Sequence, residues 1–228
     1  AQRIRHGISD LEFGDDFQFW ASADDAQSAK LLMHLYRREV DRFGVDNVAL
    51  LTPFRKKSET GVYSLNAALH NIINPASKGK AEIEIGHRIF RVGDKVMQMK
   101  NRDFASNGDI GYICTSTRDD DGFLVEVDFG DDRVVAYENV DTLCQLELAY
   151  ANTIHKSQGS EYDAVLINIQ NMHGKMLNRA LFYTAETRAK KHVIIVGDWE
   201  AVVRAIQTMD IKRRHTMLAM RINSLTKE

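Results

Sequence analysis

The run Thr153-Ile-His-Lys-Ser-Gln-Gly-Ser-Glu161 is the strongest constraint on what this chain can fold into. It is dense in groups that need hydrogen-bond partners, which makes it a poor core segment. Yet it stands just before Ala164-Val-Leu-Ile-Asn-Ile169, a short apolar run of the kind that forms a buried strand. Polar loops held against buried strands are where α/β proteins place ligand chemistry. A second polar run, Tyr183-Thr-Ala-Glu-Thr-Arg-Ala-Lys190, precedes the apolar stretch His192-Val-Ile-Ile-Val196 in the same way.

The flanking sequence reads as matching material. Ser22 is placed to cap a helix, with Asp25 three residues on and an apolar face of Ala29, Leu32, Leu35, Tyr36, Val40 and Phe43 ending at Gly44. Val48-Ala-Leu-Leu51 is a short buried strand running into Thr52-Pro53. A second helix is expected from about Thr60 to Ile73, stopped by Asn74-Pro75. The character changes near Ala81. Ile83, Ile85, Ile89, Val92, Val96 and Met97 fall in short runs broken by Gly86, Gly93-Asp94, Asn107-Gly108, Asp121-Gly122 and Gly130-Asp131. Turn signals at that spacing predict a small antiparallel barrel, with a hairpin from Gly122–Asp128 to Arg133–Tyr137. From Leu146 the α/β style resumes: strand Val165–Ile169, a helix near Leu177–Thr187, strand His192–Val196 and a helix from Trp199. The expected organisation is one α/β domain made of residues 1–80 and 146–228, with residues 81–145 inserted as the barrel.

Several classes are disfavoured. No apolar run approaches the ~20 residues that span a bilayer, and the N-terminus has no signal-peptide core. Cys114 and Cys144 cannot build a disulfide framework and have no zinc-ligand spacing, so they read as reduced thiols of a cytoplasmic protein. The start without Met points to a fragment, a processed chain or a trimmed one. The formal net charge of −2 gives no global sign of a nucleic-acid partner, but its distribution is uneven. Residues 1–80 carry 11 basic against 10 acidic groups, residues 81–145 carry 7 against 14, and residues 146–228 carry 12 against 8. Such totals exclude coating of nucleic acid by bulk charge and leave a local groove open.

The order of these pieces resembles the C-terminal half of the RecD-like, superfamily 1 DNA helicases, from about residue 22 to the end. Leu51-Thr-Pro-Phe-Arg-Lys56 looks like the family's motif IV, Ala149-Tyr-Ala-Asn-Thr153 through Glu161 like motif V, and Leu181-Phe-Tyr183 through Lys190 like motif VI. Phe90-Arg-Val-Gly-Asp-Lys-Val-Met-Gln98 with Asn107-Gly-Asp-Ile-Gly111 is similar to its SH3-like insertion. Lys212-Arg-Arg-His-Thr-Met-Leu-Ala219 is similar to its closing helix. The phosphate-cradling loop of such motors, Gly-x-x-x-x-Gly-Lys-[Ser/Thr], does not occur in the 228 residues.

The resemblance implies a RecA-like second motor domain with a parallel sheet, closing on ATP and Mg2+ held mainly by an N-terminal RecA-like domain. It implies that Arg188 and Arg55 face the γ-phosphate. A guanidinium there stabilises charge on the transferring phosphoryl group, and Lys190 or Lys191 would not match its planar, always-charged fork. Glu186 departs from the small or apolar residue usual in the family and is a potential partner for Arg188. Gln158 and Gly159 allow close approach to a nucleotide, and Glu161 can accept from a ribose hydroxyl. Thr153 and His155 would meet single-stranded DNA, with Lys95, Lys100 and Arg102 as a phosphate-tracking edge of the barrel. The acidic runs Asp119-Asp-Asp121 and Asp131-Asp132 are expected on turns facing away, and Lys212-Arg-Arg214 on a solvated helix face. The implied activity is ATP-dependent 5′-to-3′ DNA unwinding or translocation in recombination and repair, alone or within a RecBCD-type complex or relaxase. Without the missing domain the chain is expected to be inactive as an ATPase. The alternative is a non-catalytic module, on the same fold, that binds single-stranded DNA or protein.

Overall fold

The computed structural model describes residues 1–209, apart from 57, 87, 119 and 121. The Lys212–Arg214 face and the closing helix expected at Lys212–Ala219 lie outside the described residues, as do Asp119 and Asp121. In chain order the elements begin with α1 (Gln2–Arg5), β1 (Phe17–Ala21), α2 (Asp25–Phe43), β2 (Val48–Thr52) and α3 (Val62–Ile73). There follow β3 (Glu82–Ile85), β4 (Arg88–Arg91), β5 (Lys95–Gln98), β6 (Ile110–Arg118), β7 (Phe123–Asp128), β8 (Val134–Tyr137) and α4 (Val140–Leu143). The chain then forms β9 (Leu146–Leu148), β10 (Ala151–Thr153), β11 (Tyr162–Ile169), α5 (Arg179–Glu186), β12 (Ala189–Gly197) and α6 (Trp199–Gln207).

Five strands make a parallel sheet in the order β1-β12-β11-β2-β10. Its centre is apolar on both faces because helices cover both. Along β11, Val165, Ile167 and Ile169 point into a core shared with Ile4 of α1 and with Phe182 and Val202 of α5 and α6. Ala164 and Leu166 point the other way, against Leu32, Leu35 and Tyr36 of α2 and Leu65 and Leu69 of α3. This strict alternation is the two-residue period of a strand. At the end of β12, Gly197 (φ +140°) leaves room that no side chain can take, since an added Cβ would lie 1.8 Å from the Ile169 carbonyl oxygen.

The second lobe is an antiparallel sheet in the order β8-β7-β6-β5-β9, with the β3–β4 ribbon packed beside it. Phe90, Val96, Ile113, Val125, Val127, Tyr137 and Leu146 fill the space between them. The pairings among the described residues do not join β8 to β9. Among the described residues the expected SH3-like lobe consists of this sheet with the ribbon beside it. The predicted hairpin is β7 and β8, and Asp131 and Asp132 occupy its turn at φ +53° and +59°.

Two local expectations are corrected. The N-cap of α2 is Asp24, whose carboxylate accepts from the Gln27 amide at 2.7 Å. Ser22 instead bonds Ser28 side chain to side chain. The N-terminal segment, for which no element is expected from the sequence, adds α1 and the edge strand β1. Phe17-Gln-Phe-Trp-Ala21 is only partly buried at the sheet edge, so it lacks the apolar density of β11.

The lobes are held together at Asp94, which is fully buried. Its Oδ1 accepts from the Asn74 amide at 2.6 Å and the Tyr150 hydroxyl at 2.9 Å. Its Oδ2 accepts from the Arg91 backbone N–H at 2.7 Å and lies 2.8 Å from His70 Nε2. His70 and Asn74 belong to α3 and its cap, Arg91 ends β4, and Tyr150 joins the two sheets. Asp94→Ala strands all of these donors in the interior, so urea denaturation is expected to show a loss of about 3–5 kcal/mol. A loss below about 1 kcal/mol would mean the knot does not hold the lobes.

Candidate functional site

A buried polar network stands at the C-terminal edge of the parallel sheet. Asn168 Nδ2 donates to Thr52 Oγ1 at 3.2 Å, and Gln170 Nε2 donates to Asn168 Oδ1 at 2.8 Å and Thr60 Oγ1 at 3.2 Å. Asp25, in the first turn of α2, accepts from the Glu59 amide at 2.6 Å and from the Thr60 hydroxyl. These bonds pin the loop between β2 and α3, which carries Arg55. His173 braces it from outside. Its Nδ1 accepts from the Gln170 amide at 3.0 Å and its ring meets the Phe54 ring edge-on at 4.8 Å. Burial holds the His173 imidazole neutral, its pKa lowered to about 4 against the opposing pull of Asp25 and Asp198.

Arg55 points from this loop towards the antiparallel lobe. Its Nη2 donates to Glu147 Oε1 at 2.5 Å, and the Tyr63 hydroxyl donates to the same oxygen at 3.0 Å. Thr153 ends β10 beside Thr52, and its Oγ1 accepts from the Lys156 amide at 3.3 Å. Thr153, Asn152 and Lys156 line one recess with Arg55 and Glu147. Lys156 Nζ reaches Asn107 Oδ1 at 3.0 Å and the Met99 sulfur at 3.3 Å. Burial and the nearby Arg55 charge lower the Lys156 pKa, with Glu147 opposing.

Arg188, Gly159 and Glu161 lie at the opposite edge, and the segment between carries His155 and Gln158. Arg188 precedes β12, and its guanidinium donates to the Thr184 carbonyl at 3.1 Å, the Ser160 carbonyl at 3.1 Å and Thr187 Oγ1 at 3.3 Å. No carboxylate pairs with it among the described residues. Glu186 turns away from it, towards the start of α1. Gly159 is exposed at φ +91°, and Glu161 pairs with Lys190 at 3.3 Å across open solvent. His155 and Gln158 line a groove of about 100 Å³ with Asn178, Leu181 and Thr184.

Arg188 and Arg55 do not share a site. β11 begins at Tyr162 beside Ala189 of β12, and its Ile167 pairs with Leu51 near the end of β2. Six residues of strand separate the Tyr162 level from that of Asn168, or about 20 Å. Arg188 lies at the first level and Arg55 beyond the second, so the expectation of two arginines on one γ-phosphate is not met. Arg55 follows its strand and Arg188 precedes its own, and the parallel pairing of the strands turns that difference into opposite edges.

The expected barrel edge is met in part. Lys100 is exposed, and Arg102 is half-buried with its guanidinium 4.6 Å from the Tyr137 ring centroid. Lys95 is a correction. Only 3% exposed, it donates to the Val45 carbonyl at 2.8 Å, because β5 is buried throughout and the face that carries Lys95 meets the other lobe. Residues missed by sequence reasoning are Glu147, Tyr63 and Lys156. Glu147 sits between two leucines of a short strand, a pattern that marks an outward side chain but not its partner. Among the described residues, no group of three or more His, Cys, Asp or Glu is placed to hold a metal, and no helix is long and apolar enough to cross a membrane.

Comparison with known proteins assigns both lobes. Residues 65–129 match the SH3 domain of ATP-dependent RecD-like DNA helicases, and residues 148–196 match the UvrD-like helicase C-terminal domain. The fold is thus that of a RecA-like helicase C-terminal domain carrying an SH3-like lobe. Within that class the chain groups with the RecD-like helicases. It is 37% identical over 161 residues to the ATP-dependent RecD2 DNA helicase of Deinococcus radiodurans, covering 69% of this chain and 21% of that protein. It is 41% identical over 99 residues to the RecBCD enzyme subunit RecD of Mycolicibacterium smegmatis, covering 43% of this chain and 16% of that protein. The chain therefore spans about a fifth or less of these relatives. The crystal structure of Bacteroides Pif1 helicase in complex with ADP-AlF3 and ssDNA is a distant likeness, with 16% identity and a TM-score of 0.48 over 99% of this chain and 52% of that chain.

The Lys95 environment generates a pH signature. Burial lowers its pKa from 10.5 to about 8, with Asp46 opposing. Between those values the unfolded chain binds a proton that the folded chain has released, so stability rises with pH across that window. Relative to Lys95→Met, the wild-type chain is expected to gain up to about 1.4 kcal/mol per pH unit from pH 8 to 10.5. Urea titrations of both proteins across that range check the sign, and parallel curves would refute it.

Proposed function

We propose that this chain is the second motor domain of an ATP-dependent DNA helicase or translocase of the RecD type, acting on single-stranded DNA in recombination and repair in the cytoplasm. The observation that carries this reading is the state of Arg188. Its guanidinium is oriented by two carbonyls and a hydroxyl but neutralised by no described carboxylate. A partly exposed cation held in that way is prepared for an anion. In this proposal the anion is the γ-phosphate of ATP, carried with Mg2+ by a RecA-like domain that contains the phosphate loop absent from these residues. Gln158, Gly159 and Glu161 flank the nucleotide.

Thr153 and His155 take the strand side, with Lys100 and Arg102 extending it onto the SH3-like lobe. Closure of the two RecA-like domains around ATP would shift the strand grip on this domain relative to the other, coupling hydrolysis to 5′-to-3′ movement. Alone, the chain supplies charge stabilisation but neither the phosphate loop nor the magnesium site, so it should not turn over ATP.

Hydrolysis by the chain alone, with and without oligo-dT, tests this directly. No turnover is expected, and DNA-stimulated turnover abolished by Arg188→Ala would place a complete site within the chain and sink the proposal. With the phosphate-loop domain joined to it, Arg188→Ala should lower kcat by about 10³-fold or more and leave strand affinity unchanged. An equal loss of both would mean Arg188 is structural.

A further inference from the structure

The contact between Arg55 and Glu147 crosses from one lobe to the other. Arg55 and Tyr63 come from the α/β lobe, whereas Glu147 lies on β9 of the antiparallel sheet, opposite Met97 of β5. Both donors converge on one carboxylate oxygen, at 2.5 and 3.0 Å, as they would on a phosphate oxygen. Glu147 is 14% exposed but Arg55 is 44% exposed, so the pair is open to solvent on the arginine side. Pairs of that exposure contribute little and exchange readily.

The surroundings are short of negative charge. Lys156 and Thr153 line the same recess, and the described partners of the Lys156 ammonium are an amide oxygen and two thioethers. On the other side of Glu147 and Tyr63 opens a cavity of about 390 Å³ with Lys56 and Arg88 in its wall. Among the described residues, one carboxylate thus serves four cations between the lobes, at the sheet edge where Thr153 ends β10.

We propose that Glu147 is a resident counter-ion standing where a backbone phosphate of single-stranded DNA binds, so that a strand engages Arg55 by displacing this carboxylate. The idea rests on the strand-binding reading above and adds a gate to it. A strand that lifts Glu147 off Arg55 also cuts a tie between the lobes, so occupancy of the recess reports to the SH3-like lobe. Long-range repulsion by any acidic residue would weaken DNA binding generally. Displacement differs, because it acts through Arg55 alone.

The test is fluorescence anisotropy of labelled oligo-dT with the full chain across a salt series. Glu147→Gln keeps the shape and hydrogen bonding of the side chain while removing its charge. It should tighten binding roughly three- to fivefold and leave the log K against log salt slope close to that of the wild type, because the strand meets the same number of cations in both complexes. Arg55→Ala should weaken binding and flatten the slope by about 0.7, one phosphate contact fewer on a single strand, and in that background Glu147→Gln should give no gain. Arg55→Ala also stands as an independent arm should Glu147→Gln fold poorly. An unchanged affinity in Glu147→Gln, or a gain that survives Arg55→Ala, overturns the proposal while the strand-binding reading stands. If neither wild type nor variant binds oligo-dT, the strand-binding reading falls and the gate with it. A parallel titration with a fluorescent ATP analogue separates the sources of phosphate, and a gain confined to it would refute the strand assignment.

Discussion

The fold depends on one buried carboxylate. Asp94 costs several kcal/mol to desolvate and is tolerated only because both oxygens are fully engaged. Each partner comes from a different piece of chain: α3, its C-terminal cap, the end of β4 and the link between β9 and β10. Arg91 adds to the same knot from its buried side chain, donating to the Asn71 side chain at 3.1 Å and the Asn74 carbonyl at 3.2 Å. Apolar packing alone would let two small lobes slide, since it is not directional. The Asp94 bonds fix their register, and that register is what brings Glu147 of one lobe against Arg55 of the other.

With the lobes fixed, the segment from Thr153 to Glu161 acquires a geometric meaning. It leaves β10 at the C-terminal edge of the parallel sheet and returns to begin β11 at the N-terminal edge. Its first part contacts the antiparallel lobe through Lys156 and Asn107, and its last part gives the Ser160 carbonyl to Arg188. Under the proposed function one short, turn-rich stretch therefore touches the strand at one end and the nucleotide pocket at the other. Such a stretch can transmit a shift between sites without any change in the sheet beneath it, which is packed on both faces and resists deformation.

The sequence was legible where a pattern is local. The β11 and β12 runs, the apolar stripe of α2 and the β7–β8 hairpin all announce themselves within a few residues, because period and turn chemistry act over that range. The α2 cap was misassigned for the same local reason: Ser22 and Asp24 are both good caps, and the choice depends on the Ser22–Ser28 contact made only after folding. Legibility ended where placement depends on the sheet as a whole. Arg55 follows one buried strand and Arg188 precedes another, and only the parallel pairing of those strands sets the two at opposite edges of the sheet. Lys95 reads as a surface cation in an alternating segment, yet β5 has its own lobe's core on one face and the other lobe on the face that carries Lys95.

Charge shows the same dependence. Residues 81–145 carry twice as many acidic as basic groups, an unpromising balance for a lobe that would meet DNA. The structure spends several of the basic groups internally: Arg91 on the knot, Lys95 on the Val45 carbonyl, Arg133 on Asp109 at 2.8 Å. Lys100 and Arg102 remain near the Asn107 turn that touches Lys156. Away from that turn the lobe is acidic, and a phosphate backbone gains nothing there. The net charge of the lobe then works as a boundary, confining a bound strand to the seam between the lobes, where the sheet edge supplies Thr153, Lys156 and Arg55.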